Sequence, residues 1–295
     1  MRMAPSSWAF TRQTEVVRGV AGFGRGGGGD GPGGGRHARK VETVKSDDSY
    51  SRVDYRRLVA WPQRIEREWP FLLRVLGQGG RVLDLGSGTG EHSRFLASKG
   101  FEVVGIDSSP SMLAKATDAP LPPNLRFVEG DIADVERLAP GTFDGAICLG
   151  NTLPHLQDRA TLLRLVGGLR ARLRPGAALL LQVLNYDKVL QSGQRYLPLN
   201  IRQDEGEGEV VFLRLMTPRP DGTVVFTPST LRYRPDGNPP LEVLATRNVQ
   251  LKGWRRQELE EALDAGGFHG REVFGTVGDV PWVPSESPDT VIVAR

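Results

Sequence analysis

The segment from Arg81 to Gly90 constrains the fold more than any other part of the chain. It reads RVLDLGSGTG, an apolar run followed by glycines at alternate positions. Glycines at the first strand-to-helix turn let the backbone approach a ligand closely, and the next helix offers unpaired N–H groups at its N-terminus. The segment therefore predicts the first turn of a Rossmann-like α/β domain with a ligand bound at that turn.

From residue 80 onward, short apolar runs alternate with helical patterns. The predicted strands are 81–85, 102–107, 125–129, 143–149 and 177–184, and the predicted helices between them are 93–99, 109–117 and 159–173. Such alternation is typical of right-handed βαβ units around a parallel sheet. Upstream, residues 55–76 have helical spacing interrupted by Pro62 and Pro70, which predicts two short helices.

The alternation stops after the fifth strand. Apolar runs at 210–216, 224–233 and 241–249 are separated by two Pro-Asp-Gly turns. They predict an antiparallel three-stranded insert within about 206–250. A helix at 257–265 and a strand pair at 272–275 and 290–294 then complete a seven-stranded sheet with helices on both faces. Residues 46–295 are predicted to form one domain.

The basic charge of the chain lies in its N-terminal segment. Residues 1–45 contain eight basic and three acidic groups, whereas the other 250 residues contain 30 basic and 32 acidic groups. Residues 19–35 are mostly glycine, so the segment is predicted to be a disordered, Gly-rich basic tail. A start codon placed too far upstream and a weak RNA-binding arm are the alternatives. The near-neutral remainder argues against a nucleic-acid partner.

Composition excludes several classes of protein. No run reaches the roughly 18 apolar residues of a membrane helix, and the first residues lack the apolar region of a secretory signal. Cys148 is the only cysteine, so no disulfide can form within the chain. The four histidines lack metal-ligand spacing. We therefore expect a cytoplasmic protein without membrane contact or a bound metal. The sequence leaves the oligomeric state undecided, and a homo-oligomer is compatible with it.

Three acidic residues indicate what the glycine turn binds. Asp84 and Asp107 lie at the ends of the first two strands, and Asp131 follows the third, so all three face one crevice. Asp107 can accept from ribose hydroxyls. A nicotinamide dehydrogenase is the competing reading, but its fingerprint is Gly-x-Gly-x-x-Gly, whereas this loop reads Gly-x-Gly-x-Gly. An acid at the loop repels a diphosphate and attracts an ammonium or sulfonium, which favours S-adenosylmethionine.

Two longer segments carry a family resemblance. Residues 84–107 resemble motif I and its sequel in class I S-adenosylmethionine-dependent methyltransferases. The run FDGAICLGNTLPHL at 143–156 and the run NYDKVL at 185–190 resemble the glycine N-methyltransferase type. The resemblance implies a methyltransferase sheet with an antiparallel insert, and methyl transfer to a small-molecule acceptor, first an amine or amino acid. O-methylation of a small hydroxylated metabolite and a non-catalytic cofactor-binding subunit are the alternatives.

The resemblance also implies which residues form the site. Those expected at the cofactor are Arg64, Asp84, Gly86, Ser87, Gly88, Gly90, Asp107, Ser108, Met112, Asp131, Ile132 and Leu149. Arg64 would pair with the cofactor carboxylate, or instead with Glu68 one helical turn away. Asp131 and Ile132 would line the adenine pocket, and Met112 would pack on the ring.

Three residues are candidates for the acceptor side of the site. His155 is predicted as a general base or as part of the site wall. Asn151 would orient the acceptor or simply end its strand, and Tyr50 would reach the transferred methyl group or pack in a helix.

One position departs from the family. Leu184 stands where the family has an arginine that binds the glycine carboxylate, and a leucine cannot make that charge-assisted pair. This argues against glycine as the acceptor unless Arg195, Arg202 or Arg214 takes over the role.

Overall fold

The computed structural model describes Arg56 and residues 59–204 and 208–295. The predicted disordered tail of residues 1–45 and the candidate Tyr50 lie outside the described residues, so both stay predictions. The described chain forms two β-sheets with helices packed around the first. None of its helices is long and apolar enough to span a bilayer.

The helices in chain order are α1 Trp61–Leu76, α2 Glu91–Ser98, α3 Pro110–Ala116, α4 Val135–Leu138, α5 Arg159–Arg172, α6 Tyr186–Ser192 and α7 Arg256–Ala265. Two 3-10 turns, Ile132–Asp134 and Leu153–His155, follow the third and fourth strands. The strands are β1 Gly80–Leu85, β2 Phe101–Asp107, β3 Leu125–Glu129, β4 Phe143–Cys148, β5 Leu173–Leu184, β6 Asn200–Asp204, β7 Gly208–Pro218, β8 Thr223–Tyr233, β9 Leu241–Thr246, β10 Val249–Lys252, β11 Arg271–Phe274 and β12 Asp289–Ala294.

The larger sheet confirms the predicted seven-stranded architecture. Its order is β3-β2-β1-β4-β5-β12-β11. The first five strands are parallel, and β12 runs antiparallel to both β5 and β11. Between β1 and β4 the strand order reverses, which opens a crevice at the carboxyl ends of these two strands.

Alternating side chains of the sheet build two cores. In β1, Leu83 and Leu85 join a cluster with α5 and α7, whereas Val82 points to the other face and joins a cluster with α1 and α2. In β4, Cys148 lies in the first cluster and Ile147 in the second. Helices therefore cover both faces, as the sequence predicts, and Cys148 is a buried core residue.

Helix α1 corrects the prediction of a break at Pro70. The helix continues from Trp61 to Leu76 with Pro70 inside it. Pro62 lies in the first turn, where the missing N–H has no helical partner to lose. Pro70 is exposed, and so is Glu66, whose carbonyl loses the helical hydrogen bond. Buried Ile65, Phe71 and Leu72 keep one face of the helix on the sheet.

The antiparallel insert has five strands instead of the three predicted. The order is β10-β8-β7-β6, and the long strand β8 also pairs with β9. The predicted run 241–249 divides into β9 and β10, which pair with different stretches of β8. Helix α6 is not predicted by the sequence pattern. Asn185 caps it, because its side chain accepts a hydrogen bond from Lys188 N.

Candidate functional site

The glycine loop after β1 is fixed against two neighbouring segments. The N–H groups of Gly86 and Ser87 donate to the Ile106 carbonyl at 2.8 and 3.0 Å. Gly86 has a φ of 69°, and an added Cβ would lie 2.3 Å from Thr152 Cγ2. Only glycine fits there, because the loop after β4 packs directly on it. The two loops that flank the crevice are therefore in contact.

Gly88, two residues further along this loop, has open space around it. Its φ is 55°, and an added Cβ would meet no atom within 4 Å. The Gly88 N–H donates to Asp107 Oδ2 at 2.8 Å, and Ser109 N–H donates to Asp107 Oδ1 at 2.8 Å. Asp107 is thus held at the end of β2, beside an open cradle of backbone.

Asp84 places a buried carboxyl group beneath the loop. It is 3% exposed and accepts a hydrogen bond from Ser93 Oγ at 2.6 Å. Burial raises the pKa of the Asp84 carboxyl, and the negative charges of Asp107 and Glu91 add to the shift. A cationic group bound nearby would offset this repulsion. The open backbone at Gly88 and these acids together fit a ligand with an ammonium and ribose hydroxyls.

The remaining predicted cofactor residues lie in the segments that follow β2, β3 and β4. Asp131 Oδ1 accepts from Ala133 N at 2.8 Å and so caps the first 3-10 turn. Met112, Ile132 and Leu149 are buried at 5%, 6% and 5% exposure. Ser108, directly after Asp107, is exposed. Contact of these residues with a cofactor stays a prediction.

Asn151 ties the end of β4 to the corner after β5. It has a positive φ of 69°, which asparagine tolerates better than most residues. Its Oδ1 accepts from Leu184 N at 3.0 Å and its Nδ2 donates to Tyr186 Oη at 3.1 Å. Burial raises the pKa of the Tyr186 hydroxyl, so the phenol stays protonated. The side chain of Asn151 thus has a structural role, and its action on an acceptor stays a prediction.

His155 lies between the crevice and the antiparallel sheet. It ends the second 3-10 turn, and Trp254 Nε1 donates to the Leu153 and Leu156 carbonyls at 3.2 and 3.1 Å. The His155 side chain is exposed, and neighbouring protein shields it from part of the solvent. This partial burial and the positive charge of Arg247 lower the pKa of its imidazole. The ring is therefore neutral at pH 7 and can accept a proton.

The N-terminal part of the described chain adds two arginines. Arg64 makes the ion pair with Glu68 that its spacing allows, with Nε 2.8 Å from Oε1. Arg56 spans two segments: its Nε donates to Glu91 at 2.7 Å and its Nη2 to the Thr89 carbonyl at 3.1 Å. Contact of Arg64 with a cofactor carboxylate stays a prediction.

Sequence reasoning missed the pairs that join these loops. The Gly150 N–H donates to Gln182 Oε1 at 3.0 Å, and Gln182 Nε2 donates to Asp289 Oδ2 at 2.9 Å. Glu68 Oε2 lies 2.8 Å from His92 Nε2. These partners are far apart in sequence, so local patterns carry no signal for them.

The three arginines considered as replacements at the Leu184 position each donate to a backbone carbonyl, and their contact with an acceptor stays a prediction. Arg195 Nε donates to the Met216 carbonyl at 2.9 Å and Arg202 Nη1 to the Ile201 carbonyl at 2.8 Å. Arg214 Nη2 donates to the Pro198 carbonyl at 2.6 Å. The described residues contain no cluster of side chains suited to a metal ion. Two surface cavities, of about 390 and 420 Å³, lie away from the crevice.

With this geometry established, comparison with known proteins defines the class. Residues 82–176 match the family described as "Methyltransferase domain". The match begins in β1 and ends in β5, so it contains both loops of the crevice. This match agrees with the class I, S-adenosylmethionine-dependent methyltransferase domain that the glycine loop predicts.

Within that class, the chain is similar to glycine N-methyltransferases. It is 34% identical over 182 residues to a glycine/sarcosine N-methyltransferase of Parasynechococcus marenigrum, covering 58% of this chain and 63% of that protein. It is 33% identical over 141 residues to the glycine N-methyltransferase of Homo sapiens, covering 42% and 48%. The chain thus spans less than two thirds of these relatives.

Solved structures support the fold. The S-adenosylmethionine-bound amino pentose methyltransferase CalS10 of Micromonospora echinaspora aligns with a TM-score of 0.60 at 21% identity, covering 80% of this chain and 91% of that one. The CcbJ methyltransferase of Streptomyces caelestis aligns with a TM-score of 0.61 at 23% identity, covering 78% and 89%. At this identity the likeness concerns the fold alone.

Proposed function

We propose that the protein transfers a methyl group from S-adenosylmethionine to the nitrogen of a small amine or amino acid. The observation that carries this proposal lies at the carboxyl ends of β1 and β2, where the open backbone at Gly88 lies beside the fixed carboxylate of Asp107. The similarity to glycine/sarcosine N-methyltransferases supports nitrogen as the acceptor atom.

The residues of the crevice have separable roles in this proposal. Gly86, Gly88 and Gly90 give the backbone room for the amino-acid part of the cofactor, and Asp84 attracts its ammonium. Asp107 accepts from the ribose hydroxyls. When bound, the cofactor supplies an electrophilic methyl group on a sulfonium. The chain itself therefore mainly orients the acceptor and excludes water.

The acceptor side of the site requires little proton transfer. A free amine carries its own lone pair and needs no strong base, whereas a hydroxyl does. His155 is neutral at pH 7, because burial and Arg247 lower its pKa, and can take the proton that the product nitrogen releases. Leu184 itself offers no charge to a carboxylate at the end of β5, which supports an acceptor other than free glycine.

Calorimetric titration with S-adenosylhomocysteine, with NAD as the control ligand, tests the cofactor. Micromolar binding of the first and none of the second is the expected result. Absence of S-adenosylhomocysteine binding would remove the proposal.

Incubation with S-adenosylmethionine and single acceptors, followed by mass spectrometry, tests the acceptor. The panel contains glycine, sarcosine, larger primary amines, and hydroxy acids of matched size. We expect methylation of amines and none of the hydroxy acids. Methylation of a hydroxy acid alone would contradict the choice of nitrogen.

A further inference from the structure

A chain of three side chains, of which Glu68 and His92 are buried, joins α1 to α2 beside the glycine loop. Glu68 is 4% exposed, and both of its oxygens are engaged: Oε1 lies 2.8 Å from Arg64 Nε and Oε2 lies 2.8 Å from His92 Nε2. Burial opposes ionisation of Glu68, but the hydrogen bond from His92 and the charge of Arg64 outweigh it and lower its pKa. Glu68 is therefore an ionised group held from two sides.

The contact with Glu68 fixes which edge of Arg64 is available. Only Nε donates to Glu68, and within the described residues the Nη1 and Nη2 groups make no hydrogen bond. Arg64 Cζ lies 5.1 Å from the centroid of the Trp61 ring, which supports one face of the guanidinium. The Nη edge is the one that binds a carboxylate through two parallel hydrogen bonds.

The surroundings of Arg64 place its guanidinium beside the crevice. Arg64 interacts electrostatically with Asp289, which accepts from Gln182, and Gln182 in turn accepts from Gly150 N after β4. On the other side, Glu68 and His92 connect Arg64 to the helix that follows the glycine loop. The guanidinium thus lies between the two loops that border the crevice.

A second unpartnered group lies in the same cluster. Trp61 Nε1 is buried and has no hydrogen-bond partner among the described residues. The Trp61 ring stands edge-on to His92, with ring centroids 5.5 Å apart. A buried donor without a partner is costly, so a ligand acceptor at this position would be stabilised.

We propose that Glu68 and His92 are positioning residues that hold the Nη edge of Arg64 toward the carboxylate of the bound cofactor. They thereby make the site selective for ligands that carry this carboxylate. The proposal rests on the proposed function, because it requires the cofactor in this crevice. Neither Glu68 nor His92 touches the reacting atoms.

The test compares two ligands that differ only in the carboxylate. Equilibrium dissociation constants are measured for S-adenosylmethionine and for decarboxylated S-adenosylmethionine, which keeps the amine. In Glu68→Ala we expect the affinity for the first to fall about tenfold, while that for the second stays within about twofold. Glu68→Gln, which keeps an acceptor oxygen for Arg64, should recover part of the loss. Adding Arg64→Ala to Glu68→Ala should change the ratio of affinities little further.

Glu66→Ala is the matched control. Glu66 lies on the same helix but is exposed, and it makes no ion pair with the described residues. This variant should keep the wild-type ratio. If Glu68→Ala fails to fold, Glu68→Gln and His92→Gln provide the same comparison with smaller expected changes.

The possible outcomes separate the inference from the proposed function. An equal loss of affinity for both ligands in Glu68→Ala would mean a purely structural role and would overturn the inference. So would an unchanged preference for the carboxylate in the folded variants. If the wild type binds neither ligand, the proposed function itself is wrong. If the wild type prefers the carboxylate and the variants lose that preference, both stand.

Discussion

Gly86 and Gly88 have similar backbone angles but different surroundings, and this separates folding from binding. In Gly86→Ala the new Cβ would lie 2.3 Å from Thr152, so we expect a loss of stability of about 2–4 kcal/mol. In Gly88→Ala the Cβ meets open space, so only the left-handed strain of about 1 kcal/mol applies. The affinity of Gly88→Ala for S-adenosylhomocysteine should nevertheless fall, because the Cβ of the new alanine occupies the space in which the ligand would lie.

Gly100→Ala is the control for strain alone. Gly100 has a φ of 92° and open space around it, and it lies at the opposite end of β2 from the crevice. Its loss of stability in urea unfolding should match that of Gly88→Ala, with unchanged ligand affinity. Equal ligand affinities for Gly88→Ala and Gly100→Ala would contradict the assignment of the cradle.

The ionised Glu68 predicts how stability depends on pH. Its folded pKa lies below the reference value of 4.5, so its contribution to stability is complete above that pH. The contribution is lost as the pH falls below 4.5 and through the lower folded pKa. The difference in unfolding free energy between the wild type and Glu68→Gln should therefore shrink as the pH is lowered from 7 to 3. Urea titrations across this range measure it, and a difference that grows toward low pH would show that the sign is wrong.

At the scale of residues, the sequence predicts what is local and misses what is not. The glycines, Asp107 and the spacing of Arg64 and Glu68 can be read from short segments, because each depends on a strand end or one helical turn. The contact of Gly86 with Thr152 joins loops that are far apart in sequence. Gln182 and Asp289 meet only because β5 pairs with β12, and no local pattern encodes that pairing.

Helix α1 shows how an element can override a local signal. Pro70 lacks an N–H, yet the buried face of α1 keeps the helix continuous. Pro70→Ala restores one helical hydrogen bond on the exposed side, so we expect a gain in stability of about 1–2 kcal/mol. Pro62→Ala, in the first turn, should change stability by less than about 0.5 kcal/mol. Thermal and urea unfolding of both variants measure the difference, and similar effects of the two substitutions would contradict this account.

The insert shows where element boundaries escape prediction. Strands β7 and β8 have long apolar runs and were predicted close to their observed positions. Strand β6 is short and mostly polar at an edge of the sheet, so its pattern is weak. Strands β9 and β10 form one apolar run in sequence but pair with different parts of β8. Only this tertiary pairing reveals that two strands are present.

At the scale of the whole molecule, Trp254 connects the insert to the wall of the crevice. It is 2% exposed, and its indole N–H bonds both Leu153 and Leu156 next to His155. Trp254→Phe removes the donor and leaves buried carbonyls without it, at a cost of about 1–3 kcal/mol. We expect KM for the methyl acceptor to rise while Kd for S-adenosylhomocysteine stays unchanged, as steady-state kinetics and calorimetry would show. A change in cofactor affinity without a change in KM for the acceptor would contradict the placement of Trp254 on the acceptor side of the site.

The distribution of charge along the whole chain predicts that the N-terminal tail is dispensable for the chemistry. Residues 46–295 hold 30 basic and 32 acidic groups and include every described residue of the crevice. A variant that lacks residues 1–45 should therefore keep its melting temperature, its affinity for S-adenosylhomocysteine and its activity on amines.

Gel-shift titration with RNA at several salt concentrations tests the remaining alternative, since binding by an arginine-rich tail would weaken steeply with salt. The full chain could bind RNA, and the deletion variant could lose both this binding and methyl transfer. That result would show that the tail is an arm for a nucleic-acid substrate. Unchanged activity of the deletion would leave the crevice between β1 and β4 as sufficient for both cofactor and acceptor.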